Sequence, residues 1–429
     1  MNVDWSQQIK RQRGKDVENR DSMQSDSLRD NPPTANTPAT SAPFHGHAMD
    51  QILPSRPTRH DARNPLIMTR ILILLLALFV FAAPPASTGA EPVETKSTWQ
   101  LLPFAKADKA NPILEPTAVS EFDCPIEGRV HWEESHVFNP AAIVRDGKVW
   151  ILYRAQGKSG VSRLGLASSA DGLRFVRHPR PVVHPDNDAQ RIFEARGGCE
   201  DPRVVEDSKG NYVLTYTAYD GKTARLMVAT SRDLISWQKH GPAFLGEMRE
   251  EWTKSGSIVC RRQGDRFIAE PIQGKYWMYL RDSKFLLATS KDLRNWDVIR
   301  DAAGKPWEIV SSRRGRFDSD LVEPGPQAWL RDDGILLLYN GVNSRTNGDP
   351  KLPPGNFASG QLLMDREDPT RILRRSDTFF LTPDRPYEIT GQVGNVCFIE
   401  GLVTFKGRWL LYYGTADSRV AVATGPAVR

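Results

Sequence analysis

DGKVWILY (residues 146–153), KGNYVLTY (209–216), QGKYWMYL (273–280), DDGILLLY (332–339) and KGRWLLYY (406–413) repeat one pattern: a glycine-bearing turn, then an apolar run that closes on or beside tyrosine. The tyrosines Tyr153, Tyr216, Tyr279, Tyr339 and Tyr412 are 63, 63, 60 and 73 residues apart. A second series follows each at a similar offset, around Ala167, Ala229, Ala288, Met364 and Ala423. Two interleaved series with a common period signal a repeat architecture, and strand-turn-strand units of this length are propeller blades rather than solenoid turns. The expected fold is all-β, a five-bladed β-propeller. Sustained helical periodicity is absent outside one apolar stretch, while alternation is common, as in KVWILY and RLMVAT.

Working outward, Trp99 to Val137 is Pro-rich and irregular, and is expected to lend the last blade a strand. Upstream, residues 1–67 are polar without apolar periodicity, a composition that cannot bury enough surface to fold. Then Met68, Arg70, 13 apolar residues from Ile71 to Ala83 and the small residues Thr88-Gly89-Ala90 form the three parts of a secretory signal peptide over 68–90. The run is too short to span a bilayer comfortably. Translation is expected to start at Met68, with 1–67 a disordered tail or misread upstream sequence, 91–429 the catalytic domain, and the product secreted or periplasmic without a stable membrane span. A type II membrane anchor is the alternative. The net charge of +5 is scattered and points to no nucleic-acid partner. Cys124, Cys199, Cys260 and Cys397 sit singly, and the histidines lack ligand spacing, so neither a metal nor a cofactor is expected.

Each tyrosine run is preceded by a polar position: Asn139 in FNPAAIV, Glu200, Asp201 and Arg203 in CEDPRVV, Lys254 in TKSGSIV, Glu323 in VEPGPQAW, and Glu400 in FIEGLVTF. If these begin the innermost strands, they crowd one cavity. Such a ring is costly unless a ligand or mutual pairing offsets desolvation, which argues for function over a set of local turn caps. The tyrosine runs themselves end near further polar groups: Arg154, Arg281 with Asp282, Asn340, and Asp417. Such a pocket suits sugar hydroxyls, with Trp132, Trp252, Tyr219 and Tyr413 available for stacking. TSRDLISW and TSKDLRNW are expected to staple turns, without chemistry.

Together FNPAAIV, GGCEDPRVV, KSGSIV, QGKYWMY, FDSDLVEPGPQAW, DDGILLLYNGV, FIEGLVTF and LYYGTADS resemble glycoside hydrolase family 130, in order, over roughly residues 110–425. The resemblance implies a five-bladed propeller acting with inversion on β-mannosides, by phosphorolysis or hydrolysis. It implies that Asp201 is the general acid, working through a sugar hydroxyl, and that Asn139, Arg154 and Asp417 hold the sugar. Glu200, Arg203, Lys254, Arg281, Asn340 and Glu400 complete the expected substrate-binding set.

A phosphorylase must gather a dianion with several cationic donors. An inverting hydrolase needs a second carboxylate, about 6.5 to 9.5 Å from the acid, to deprotonate water. Where the resembling phosphorylases carry Pro-Glu-Lys and His-Arg-Pro segments, this chain has Pro271 and Asp282, and VEPGP supplies Glu323. The expected function is therefore an exported inverting hydrolase of manno-oligosaccharides, with Glu323 and Asp282 as base. Arg281 dissents, because the phosphorylases keep an arginine there. A phosphorylase releasing mannose 1-phosphate, with inorganic phosphate as partner, stays open. So do a non-catalytic carbohydrate-binding propeller and, more weakly, a glycosidase for arabinosides or fructosides. Glu270 is a further candidate base, as readily a solvated loop acid.

Overall fold

A computed structural model describes residues 99–428; the expected tail over 1–67 and leader over 68–90 lie outside the described residues. The described chain is nearly all β, with helix confined to Arg191–Glu194, Pro386–Ile389 and the 3-10 turn Gly246–Arg249. No helix among the described residues is long and apolar enough to cross a membrane.

The strands form five successive antiparallel meanders, in step with the tyrosine series. The first opens on His136–Arg145, continues through Lys148–Gln156 and Ser162–Ser169, and ends at Val176–Arg177. The second runs through Gly198–Glu206, Tyr212–Tyr219, Ala224–Ser231 and Trp237–Pro242. The third joins Ser257–Gln263, Tyr276–Leu280, Lys284–Ser290 and Asp297–Val298. In the fourth, Leu321–Pro324 and Ala328–Arg331 share the partner Gly334–Val342, which pairs on with Phe357–Met364 and Ile372–Arg375. The fifth comprises Cys397–Phe405, Arg408–Thr415 and Arg419–Ala427, and Ala105–Lys106 adds its outer strand, as expected of the Pro-rich segment.

The apolar core lies between neighbouring meanders: one cluster joins the first to the second, another the third to the fourth, another the fifth to the first. All five series tyrosines are fully buried in it. A buried phenol needs an acceptor, and each finds one on a distant connection. Tyr153 donates to Glu133 at 2.8 Å, Tyr216 to Glu194 at 2.7 Å and Tyr339 to Asp318 at 2.7 Å. Tyr279 and Tyr412 donate to the carbonyls of Pro369 at 2.9 Å and Gly172 at 2.8 Å. The three carboxylates are neutralised in turn by Arg177, Lys239 and Arg313.

The expected turn staples hold. Asp233 and Asp292 accept main-chain N–H groups two and three residues on, and the indoles of Trp237 and Trp296 donate to Leu234 and Leu293. The four cysteines are buried free thiols.

The insertion CRRQGDRFIAEP forms a hairpin, Ser257–Gln263 with Arg266–Ala269. Its first strand lies parallel to Ala328–Arg331, and its second lies against the opening strands of the first, second and fifth meanders. At its tip Arg266 pairs with Glu206, Asp265 accepts from Thr404 at 2.7 Å, and Phe267 packs on Trp329 and Trp409. Those contacts fall at the far ends of the opening strands, away from Asp201 and Glu400.

Candidate functional site

The polar series is aimed by bulges. In the first, second and fifth meanders the opening strand slips register where it passes the series tyrosine, between Phe138 and Pro140, between Glu200 and Arg203, and between Ile399 and Gly401. The residues left unpaired include Asn139, Asp201 and Glu400, and a bulge is a device for re-aiming a side chain. Lys254-Ser255-Gly256 immediately precedes the third opening strand, and Glu323 stands opposite Asn340 in the fourth. Left-handed backbone concentrates here: φ is 48° at Asn139, 47° at Asp201, 61° at Ser255, 77° at Arg281 and 50° at Asp417. Non-glycine residues hold such angles only where surrounding structure enforces them, typically at functional sites. Gly414 lets Asn139 approach, since a Cβ there would stand 2.3 Å from the Asn139 amide oxygen.

Two cations organise the acids. Arg154 donates through Nη2 to Glu200 at 2.7 Å and through Nη1 to Asp201 at 3.1 Å, while its Nε holds Ser162 at 2.9 Å. Asn139 donates to the same Asp201 oxygen at 2.9 Å. Lys254 lies 3.8 Å from the other Asp201 oxygen and 3.0 Å from Glu323 Oε1. The Asp201 and Glu323 oxygens are therefore at most 6.8 Å apart, the sum of those two distances. Residues 122 positions apart thus face one another across a single ammonium.

Burial and charge divide the carboxyls. Burial opposes ionisation of Asp201, but Arg154, Lys254 and the Asn139 amide outweigh it and hold the group at about 2. Burial lifts Glu200 to about 7 against Arg154, with Asp201's charge adding to the rise. Asp417 reaches about 7 by the same balance of burial, Arg154 and Asp201. Glu323 is raised by burial, opposed by Lys254 and reinforced by Asp282. Burial pushes Glu400 well up despite Arg203. In the ligand-free protein, then, the cations favour the ionised form of Asp201, while burial shifts Glu200, Asp417, Glu323 and Glu400 toward their protonated forms.

The structure brings together Asn139, Arg154, Glu200, Asp201, Lys254, Glu323 and Asp417. Asp282 and Arg281 border the group: Arg281 N donates to the Lys254 carbonyl at 2.7 Å, and Asp282's charge acts on Lys254 and Glu323.

Other expected substrate contacts need correction. The fully buried amide of Asn340 is consumed by the main chain, accepting from Ile399 N at 2.8 Å and donating to Ile399 O at 3.1 Å. It clamps the fourth meander to the fifth rather than meeting a sugar. Arg203 gives its guanidinium to the carbonyls of Gly325, Pro324 and Asp201, at 2.9, 2.8 and 3.3 Å, and pairs with Glu400 at 3.0 Å. Glu400 is only 1% exposed and sits behind that arginine. Trp132 and Tyr413 are core residues, Tyr413 donating to Glu388 at 2.9 Å. Tyr219 and Trp252 pack edge to face, and burial with the nearby Glu200 charge pushes the Tyr219 phenol to about 12. Glu270 pairs with Arg261 on the hairpin, at 3.7 Å and half-exposed.

Two serines escaped sequence reasoning. Ser255 donates a short hydrogen bond to Glu323, and Ser162 bonds both Arg154 and Glu200. Ser255 carried a signal, occupying the repeat position that Asn139 and Asp201 fill elsewhere; Ser162 carried none.

The geometry meets independent similarity. The family profile described as beta-1,4-mannooligosaccharide phosphorylase matches residues 104–428. The chain is 31% identical to a 1,2-beta-oligomannan phosphorylase of Thermoanaerobacter sp. (strain X514), covering 73% of this chain and 94% of that protein. It resembles a glycosyl hydrolase from Bacteroides ovatus at 41% identity and a TM-score of 0.75, over 77% of this chain and 97% of that one. It also resembles, at 43% identity and a TM-score of 0.75, over 76% and 95% of the two chains, a structure described as "The GH130 family of mannoside phosphorylases contains glycoside hydrolases that target beta-1,2 mannosidic linkages in Candida mannan". With its profile matched over most of the chain and its repeats in register, this protein belongs to glycoside hydrolase family 130.

Proposed function

We propose that this protein is an exported inverting glycoside hydrolase that releases mannose from β-1,2-linked manno-oligosaccharides. Its five meanders are the blades of a five-bladed propeller forming the catalytic domain over 91–429, and export rests on the leader-like 68–90. The observation that carries hydrolysis is the engagement of Lys254 by Asp201 and Glu323 together. A phosphorylase needs cations free to gather a dianion; here Lys254 and Arg154 are already matched by carboxylates, and Asp282 adds negative charge. The linkage is supported by relatives named for β-1,2-mannosides.

In this reading the sugar sits against Asn139, Arg154 and Asp417. Asp201, once its cations turn toward sugar hydroxyls, collects a proton and delivers it to the departing glycosidic oxygen, through a hydroxyl of the sugar. Glu323, held by Ser255 and Lys254, takes a proton from water as that water bonds to the anomeric carbon and the old C–O bond breaks. The upper bound of 6.8 Å between these carboxyl oxygens is compatible with the short end of the inverting range, about 6.5 to 9.5 Å.

The second reading is phosphorolysis, favoured by Arg281, whose side chain is partly exposed and has no ion pair among the described residues. An assay on β-1,2-mannobiose with and without inorganic phosphate separates the two. Free mannose at the same rate in both is expected; mannose 1-phosphate formed only with phosphate establishes the alternative. Asp201→Asn is expected to fold and to lose about 10²- to 10⁴-fold in turnover, and near-native activity in that variant removes Asp201 from the chemistry.

A further inference from the structure

The fourth meander's opening strand pairs through Pro324, directly after Glu323, and is then interrupted by Gly325-Pro326-Gln327 before the ladder resumes at Ala328–Arg331. Gly325 N reaches Leu338 O at 2.9 Å, but the two prolines have no N–H to offer, and the segment's carbonyls turn away from the sheet. Buried carbonyls require donors. The Pro326 carbonyl is met by Ser257 Oγ at 2.6 Å. Those of Pro324 and Gly325 are met by one side chain from another meander, Arg203, at 2.8 and 2.9 Å.

Arg203 lies two residues after Asp201 and also donates to Asp201's own carbonyl at 3.3 Å. A single planar guanidinium thus grips the main chain beside both candidate catalytic carboxyls. Its Nη2 stands 3.0 Å from Glu400 of the fifth meander, an ion pair without hydrogen-bond geometry. The side chain is 2% exposed and its donors are spent on main-chain carbonyls, so it acts on the protein itself. Taking the hydrolytic reading above as the reaction, we infer that Arg203 is the positioning residue that sets the separation between Asp201 and Glu323. The planar fork is essential to this role, because an ammonium cannot hold two adjacent carbonyls and a third along fixed directions.

The test is Arg203→Lys in the full chain, with Ser257→Ala as the control that removes a donor from the same segment without touching the fork. Arg203→Lys is expected to lower kcat about a hundredfold with KM within about threefold, since a misplacement near 1 Å is enough for such a loss. Ser257→Ala is expected to lower the melting temperature while kcat stays within about threefold. Crystal structures of wild type and Arg203→Lys give a readout independent of turnover, a change in the Asp201 to Glu323 separation. If Arg203→Lys does not fold, Arg203→Gln, whose amide still donates to one carbonyl, is measured the same way. An unchanged separation with unchanged kcat overturns the inference, as does an equal loss of kcat in Ser257→Ala. Absence of wild-type activity on β-1,2-mannobiose alongside an altered separation defeats the hydrolytic reading instead.

Discussion

Glu200 and Asp201 are consecutive, share the Arg154 guanidinium, and are driven in opposite directions, to about 7 and about 2. Burial weighs on both, but Asp201 has Arg154, Lys254, the Asn139 amide and Arg203 against it, whereas Glu200 has Arg154, Lys254 and Ser162 and is raised further by Asp201's charge. Glu200's folded value stands above its ordinary 4.5, so its contribution to stability is full below that pH and is lost as pH rises through about 7. Asp201 acts inversely, its contribution being complete above its ordinary 3.8 and lost as pH falls through about 2. Relative to wild type, Glu200→Gln is therefore expected to gain stability between pH 4 and pH 8, by about 3 kcal/mol at most. Urea unfolding of both proteins at the two pH values checks this; a constant difference shows that Glu200 does not titrate as its surroundings dictate.

At the scale of strands, the tyrosine series is the repeated mechanical part. Each phenol crosses from a central strand to a connection far along the chain, and in three meanders the acceptor is a carboxylate with its own cation. Tyr216→Phe leaves Glu194 with Lys239 but without its second donor, which is expected to cost about 1 to 3 kcal/mol. Denaturant unfolding measures it, and a cost near zero means that water takes the phenol's place. Much of this level was readable beforehand, because Tyr153, Tyr216, Tyr279, Tyr339 and Tyr412 recur with an apolar run that only a buried strand requires. Their acceptors were not singled out, although Glu133, Glu194 and Asp318 precede their tyrosines by 20, 22 and 21 residues, because nothing local shows that an acid in a connection faces a buried phenol. The same limit explains the site. Asp201, Glu323 and Lys254 stood out as polar residues at the ends of apolar strands, but so did Asn340 and Arg203, which face neighbouring main chain. A polar strand end looks alike in sequence whether its partner is a ligand or a carbonyl of the next meander.

For the described body as a whole, the departure of the third repeat has the widest effect. Its extra hairpin touches the opening strands of the first, second and fifth meanders and packs Phe267 against the Trp329–Trp409 pair, all at the end remote from Asp201 and Glu323. On the propeller reading proposed above, that hairpin stands across the rear of the shared site. A polymer would then have no passage past the acids and out behind them, so a glycan terminus docks and the severed piece backs out by the route it took in. Digestion of β-1,2-mannotetraose is accordingly expected to give monosaccharide from the first time point, with trisaccharide as its early companion. Disaccharide as the first and dominant product shows instead that cuts fall mid-chain. A site backed in this way favours nibbling at chain ends over slicing within them.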